Sequence, residues 1–469
     1  MAKKQRRQKG DKGEASTRNG GSCDIEVLSL SYSIVTEGSE NADCFFSADG
    51  WAGDNDEFDQ ADDGVTGVSE ERERKIQDAF AAAEDYCSEK RSTRRENILR
   101  QWYTALTHCR SGSSETVECK LPGIIKCCQF SVRSGSPSEQ YAACRVVETI
   151  AVLFADESLY EQTYRTLLLT TRSKHRAIPV RIAALRAIGM TVYIGIDDGD
   201  IVREVMNLCE AVARSEYRGE KVAPGLRAAA LTVWNVLATT LHEFYIAGAD
   251  DVSTGRGLGL LPILVECLEQ EDDLDLQSAA GECAAWIHSA RLQLGVEDGD
   301  CDNTTERRYR LGSWEGSKWE DTMSEIEALM ECLSNQSGHL LSKRKKKETR
   351  TIFRELLSTI QENEPPLQVL QFRGGTLELT SWKSVIPMSF IRRCLQDGLQ
   401  MQLMTNPTLQ AIFGVNAEVL NSSQRAMSQK EKRLLFSKAS VNAKEKDRNR
   451  TRKRQSRTNA KNLFLTNDD

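Results

Sequence analysis

"EQYAACRVVETIAVLF" runs from Glu139 to Phe154, and its pattern returns three times downstream. The returns are "PVRIAALRAIGMTVYIG" (Pro179–Gly195), "PGLRAAALTVWNVLATTL" (Pro224–Leu241) and "LQSAAGECAAWIHSA" (Leu276–Ala290). Each stretch opens polar, passes through an Ala-Ala step and continues with bulky apolar residues at helical spacing. The steps fall at Ala142, Ala183, Ala229 and Ala279, at intervals of 41, 46 and 50 residues, near the HEAT or armadillo period. Small residues let each inner helix approach its neighbours, while the bulky ones fill a core shared between repeats. Pro179 and Pro224 sit where the first turn of a helix tolerates a missing N–H. A second helical stretch precedes each of the four: "GIIKCCQFSV", "SLYEQTYRTLLLTT", "DIVREVMNLCEAVARS" and "LLPILVECLEQ". The expected fold class is all-α: an armadillo/HEAT-like α-solenoid, a small C-terminal helical unit containing one β-hairpin, and a long basic C-terminal helix.

Outward from the repeats, the helical pattern begins at Ser69, and the solenoid is placed at residues 69–295. "STRRENILRQWYTALTHCR" sets Ile98, Leu99, Trp102, Leu106 and Cys109 on one face. Residues 1–68, basic then acidic and rich in Gly, Ser, Asn and Asp, are expected to be disordered, with "CDIEVLSLSYSIV" (Cys23–Val35) as a β-prone exception. Residues 296–315 read as a polar linker. Residues 316–415 follow as a C-terminal domain of helices in which "LQVLQF" and "TLELTSW", joined by Gly-bearing "RGG", form a hairpin. Residues 416–469 are a basic tail, expected to be helical when bound.

Composition narrows the function classes. No run approaches an uninterrupted apolar span of about 18 residues, so no membrane partner is expected. The opening "MAKKQRRQKGDKGEASTRNGG" has no apolar stretch behind its charges and does not resemble a secretory signal. The 14 cysteines lack any Cys-x-x-Cys pair and are expected as free thiols in a reducing compartment, cytoplasmic or nuclear rather than secreted. No Gly-x-Ser-x-Gly, His-Glu-x-x-His or phosphate loop is present, so no enzyme, cofactor or small-molecule substrate is expected. "GRGLGLLP" (Gly255–Pro262) reads as a loop rather than a nucleotide fingerprint. "DGDCDN" (Asp298–Asn303) has acids at calcium-loop positions, but Asn303 replaces the turn glycine and Tyr309 the bidentate glutamate. The five histidines have no zinc-ligand spacing, and no metal is expected. A monomer is expected.

The candidate binding residues are cationic. The chain carries a formal charge of −7, yet its ends have opposite signs. Fourteen acids and no Lys or Arg lie between Arg18 and Arg72, while Arg425–Lys461 holds 14 bases against three acids. In the tail, Leu420, Met427, Leu434 and Val441 recur every seven residues, widened by Leu435, and form an apolar stripe that can anchor to a surface. Lys430, Lys432, Arg433 and Lys438 flank that stripe. Beyond it, Lys444, Lys446, Arg448, Arg450, Arg452, Lys453, Arg454, Arg457 and Lys461 would make a helix polar on every side, suited to a site walled by RNA phosphates. The same run also reads as a nuclear localisation signal or an idle tail. A second cluster, Lys343, Arg344, Lys345, Lys346 and Lys347, either contacts phosphate or is an exposed first turn or import signal. "KHRAIPVR" (Lys174–Arg181) and "RSEYRGEK" (Arg214–Lys221) recur between repeat helices, as a positive ridge along one edge or as scattered solvated charges.

The chain resembles the interferon-related developmental regulator family. In the solenoid the resemblance rests on "SEQYAACRVVETIAVLF", "VRIAALRAIG" and "LPILVECLEQEDDLDLQSAAGECAAWI". Further on it rests on "SKRKKKETRTIFRELLSTIQENEPP", "LELTSW" and "GLQMQLMTNPTLQAIFG". What the resemblance implies is a non-enzymatic regulator of gene expression. Its members are linked to binding translationally inactive ribosomes and to transcriptional co-regulation through corepressor complexes. The implied partners are therefore the ribosome and its rRNA, with translational repression as the outcome, or nuclear proteins on the solenoid surface.

Overall fold

A computed structural model describes residues 74–109 (apart from 75, 82–85 and 87), 115–154, 157–247, 256–270, 273–297, 318–335, 343–372 and 375–415. The N-terminal segment 1–68, the calcium-like loop, most of the 296–315 linker and the tail 416–469 lie outside the described residues.

Helices α1 (Ser92–Thr107), α2 (Leu121–Ser134), α3 (Pro137–Phe154), α4 (Glu157–Arg172), α5 (Ile178–Gly195), α6 (Gly199–Ala213) and α7 (Pro224–Ala238) are followed by the short α8 (Glu243–Ala247). Then come α9 (Arg256–Leu268), α10 (Leu274–Glu297), α11 (Lys318–Asn335) and α12 (Lys343–Gln361). The four Ala-Ala helices α3, α5, α7 and α10 are inner helices, each packed on the next, with α1 and α12 at the two ends of the row. Helices α2, α4, α6, α9 and α11 each pack on the inner helix that follows them. The alanine-bearing faces are buried: Ala142, Ala183, Ala229 and Ala279 are all at most 8% exposed. The repeat therefore crosses residues 298–317, because α11 and α12 stack on α9 and α10 as the earlier pairs stack on each other.

A polar ladder accompanies the alanines. The fourth residue of five inner helices turns its side chain back to carbonyls of the turn before it. Arg95 Nη1 donates to the Glu89 carbonyl (2.8 Å), Gln140 Nε2 to Gly135 (2.8 Å) and Arg181 Nε to Thr171 (3.0 Å). Arg227 Nε donates to Ala213 (2.7 Å) and Gln277 Nε2 to Gln270 (2.8 Å). Carbonyls near a helix end lack partners within the helix, and these side chains supply donors, Gln140, Arg227 and Gln277 from the core and Arg95 and Arg181 from half-buried positions. In the four Ala-Ala helices the ladder residue stands two positions before the alanine step.

One feature differs from the sequence expectation. "GRGLGLLP" is not a loop: α9 begins at Arg256 and continues through Pro262. Gly257 is required because a Cβ there would lie 2.6 Å from the Ile246 carbonyl and 2.9 Å from Ile287, so tight packing explains that glycine. Leu258, Leu260, Leu261 and Leu264 are buried along this helix, and their burial overrides the local breakers. Helix α5 is long and apolar enough to span a membrane by length and composition. It carries Arg181 and Arg186, and it is packed between α3 and α7.

Between α6 and α7 lies a ribbon of two short strands, β1 (Glu216–Tyr217) and β2 (Glu220–Lys221), which turns at Arg218 and Gly219 with φ of 55° and 76°. Both central residues are left-handed, as a two-residue hairpin turn requires. After α12 the chain forms β3 (Gln368–Phe372) and β4 (Gly375–Leu379), an antiparallel hairpin pairing Leu370 with Leu377. Helix α13 (Trp382–Leu395), a 3-10 turn (Gln396–Gly398), α14 (Leu399–Thr405) and α15 (Pro407–Phe413) complete the described chain. Their apolar residues, including Ile386, Phe390, Leu403 and Leu409, belong to the same continuous core as the repeats.

Candidate nucleic-acid interface

The tail residues Lys430–Lys461 and their apolar anchor, Leu420 to Val441, lie outside the described residues. The backbone of Lys343–Lys347 is described, and it forms the first turn of α12. His288 of α10 bonds Asn363 at 3.0 Å, and Gly281 lies against Leu356. Both contacts carry the same offset of 75 residues, so α12 runs parallel to α10 and starts at the same edge of the array.

That edge is made by the turns that enter the inner helices. These turns are joined one to the next. The Ser92 and Ser136 hydroxyls are hydrogen-bonded at 2.9 Å, Arg176 Nη2 donates to the Arg133 carbonyl (2.6 Å), and Lys174 Nζ pairs with Glu220 Oε1 (2.8 Å). The segments "KHRAIPVR" and "RSEYRGEK", which the sequence leaves as either a ridge or scattered charges, are therefore neighbours. Arg133, Arg172, Lys174, Arg214, Arg218 and Lys221 are exposed along this line, and Arg176 is half-buried. Acids at the same edge are Glu216 and Glu220, Glu89 beside Arg94, and, in the turn entering α10, Glu269 and Asp273, the latter capping α10 through the Leu276 amide.

A carboxylate fixes the start of this edge. Glu139 takes two hydrogen bonds from Arg95, at 2.9 and 3.0 Å, and one from Ser92 Oγ at 3.0 Å. Burial alone would raise its pKa, but the hydrogen bonds from Arg95, Ser131 and Ser92 outweigh it and hold the carboxyl below its usual range. The opposite edge, where one repeat passes to the next, has the other sign. Glu157, Asp197, Asp198 and Asp200 are exposed there, and Asp198 caps α6 through the Asp200 amide at 2.8 Å.

The inner face is occupied by the chain itself. Helix α13 packs on α3 and α7, and the 3-10 turn packs on α1. A Cβ at Gly398 would lie 2.4 Å from the Thr107 carbonyl, so only glycine permits that approach. Arg145 of α3, 3% exposed, organises a polar clamp at this joint. Its Nη1 donates to Glu148 Oε2 (2.7 Å), and its Nη2 reaches Tyr103 Oη (3.0 Å) and the carbonyls of Arg393 (3.1 Å) and Cys394 (3.2 Å). Tyr103 Oη donates to the Cys394 carbonyl at 2.8 Å. Gln402 Nε2 donates to Cys109 (2.7 Å), Asn406 Nδ2 to Val152 (3.0 Å), and Lys383 Nζ pairs with Glu243 at 2.5 Å. Motifs and spacing do not reveal this clamp. Its one trace in the sequence is Arg145 and Glu148, spaced i,i+3 inside an otherwise apolar stretch.

Cysteine chemistry is subdued. The ten described thiols are free, and eight are buried. Burial pushes Cys394 up to about 12 and Cys267 up to about 11, away from the thiolate form. Among the described residues, no three His, Cys, Asp or Glu side chains converge as a metal site.

These features define an all-α repeat protein with a covered inner face and a cluster of exposed cations at the turns entering α5 and α7. The family model described as interferon-related developmental regulator matches residues 33–361. The chain belongs to that family. It is 21% identical to mouse (Mus musculus) interferon-related developmental regulator 1 over 338 residues, covering 68% of this chain and 69% of that protein. The human (Homo sapiens) regulator 1 is 20% identical over 338 residues, 68% of each chain. Mouse interferon-related developmental regulator 2 is 23% identical over 336 residues, 68% of this chain and 70% of that protein.

Proposed function

We propose that this chain is a non-enzymatic regulator of gene expression that binds ribosomes through structured RNA and represses translation. The basic tail is the part that enters the RNA-walled site. One observation carries this reading: the apolar stripe of the tail ends at Val441, and Arg448, Arg450, Arg452, Arg454 and Arg457 follow on a segment with no apolar face. Such a helix has nothing to offer a protein core, whereas arginine forks bond phosphates from any side. The filled inner face supports the same reading, because the groove over α1, α3 and α7 is already taken. The shared description of the relatives, developmental regulator, agrees with a regulatory role.

The test compares the full chain with a variant carrying Gln at those five arginines, by ribosome co-sedimentation in sucrose gradients at physiological salt. The native chain is expected in the ribosomal fractions, and the variant at the top of the gradient. Equal co-sedimentation of the two would sink the tail reading. Exclusively nuclear protein whose partners survive RNase would replace it with transcriptional co-regulation.

A further inference from the structure

We propose that the edge formed by the turns entering α1, α3, α5 and α7 is a second binding surface, one for the phosphate backbone of folded RNA. It rests on the RNA-binding reading above, but it uses different residues in a different part of the molecule. The four turns are tied in a row by the Ser92–Ser136, Arg176–Arg133 and Lys174–Glu220 contacts. Neighbouring packed helices lie about 8–10 Å apart, so the row extends about 30 Å, the scale of a short RNA duplex.

The acids of this edge are already engaged or few. Glu139 is held by Arg95, Glu89 by Arg94 and Glu220 by Lys174, while the exposed Glu216 stands opposite Lys221 in the ribbon. Arg172, Arg214, Arg218 and Lys221 remain exposed with their charges toward solvent. The β1–β2 ribbon gives Arg218 a fixed place at the tip of its turn. The acidic opposite edge adds direction, because a molecule with one cationic and one anionic edge is steered to present the cationic one to a polyanion. Phosphate rather than an acidic protein is the better match. A protein interface needs a buried apolar centre, and the exposed large apolar side chains near this edge stand one to a helix, Ile178 (45%) at the start of α5, Phe130 (46%) and Leu169 (62%) in the last turns of α2 and α4. Recognition would be by backbone and shape, since the ribbon's aromatic residue, Tyr217, is packed against the core rather than held out for stacking on single bases.

The experiment uses the full chain with Arg172→Gln, Arg214→Gln, Arg218→Asn and Lys221→Gln combined, Asn being tolerant of the left-handed turn position. Binding to a fluorescent hairpin RNA is titrated across salt concentrations. Asp197→Asn is the control on the acidic edge, and circular dichroism checks the fold. Each lost phosphate contact removes about 0.7–0.9 from the slope of log affinity against log salt. The fourfold variant is therefore expected to lose about three units of slope and about 100-fold in affinity near 0.15 M salt. The control is expected to leave both unchanged. Unaltered slope and affinity in a folded fourfold variant would overturn the proposal, whatever the tail does. A variant that loses only binding to an Asp/Glu-rich peptide would overturn it equally. A loss here, with the five-arginine tail variant unaffected, would support the edge and remove the tail reading instead.

Discussion

Arg145→Met tests how the inner face is closed. The substitution keeps the apolar stem and removes a guanidinium that is the donor to Glu148, to Tyr103 and to the two carbonyls ending α13. Glu148 is fully buried, with Arg393 at 3.6 Å as its remaining ionic neighbour. Breaking a buried ion pair by removing one partner costs about 3–5 kcal/mol, because the surviving charge is left without compensation. The cost falls on the joint between α13 and the repeats, since the lost donors bridge those two parts. If the segment opens locally, about 3–5 kcal/mol corresponds to roughly two to four decades in amide exchange protection. Hydrogen exchange read by mass spectrometry is expected to show that loss over residues 382–413, with α10 and α12 little changed. Arg145→Met combined with Glu148→Met is expected to recover part of it, as an apolar pair replaces the stranded charge. Protection over 382–413 within threefold of the native chain would refute the clamp as the fastening of this segment.

Gly398→Ala would place a methyl group 2.4 Å from the Thr107 carbonyl, a backbone atom that cannot turn away. Overpacking of this kind costs about 1–3 kcal/mol, so the urea midpoint is expected to fall, and an unchanged midpoint would deny the close approach. Glu355 has its pKa raised to about 7 by burial, so the folded state holds its proton where the unfolded chain, near 4.5, has released it. Stability from this group is present at low pH and lost as pH rises from 4.5 through about 7. Glu355→Gln is therefore expected to match the native chain near the bottom of that range and to exceed it above the top. A native-to-variant difference that does not change with pH would contradict the burial.

Local residue pattern made the repeats legible. Ala142, Ala183, Ala229 and Ala279 mark positions where helices must come close, and that demand is written into side-chain size. The hairpin at residues 368–379 was legible for a similar reason, because two β-prone runs met at glycines. Gly257 misled, since glycine weakens an isolated helix, and burial of the leucines around it decided otherwise. The clamp was hidden for a different reason. Arg145 and Cys394 are 249 residues apart in the chain, and periodicity along one helix carries no information about a partner that far away. The ridge was ambiguous because a charged turn looks the same whether its neighbours are cationic or acidic. Only the stacking of turns decides it.

The closure of the inner face bears directly on where a partner can dock. In a helical-repeat array the inner helices offer a long continuous surface, and proteins that leave it open use it. Here Trp382, Ile386, Phe390 and Leu395 bury themselves together with that surface, and Gly398 brings the backbone into contact with α1. A partner competing for this groove would have to displace an apolar segment and also strand Glu148 and the Arg145 guanidinium in the core. That double cost disfavours exchange. The turns at the edges carry no such cost: their cations are already solvated, and releasing counterions to a phosphate backbone is favourable without any unfolding. Binding at the edge and through the tail is thus compatible with an intact fold, whereas binding in the groove would have to begin by breaking it.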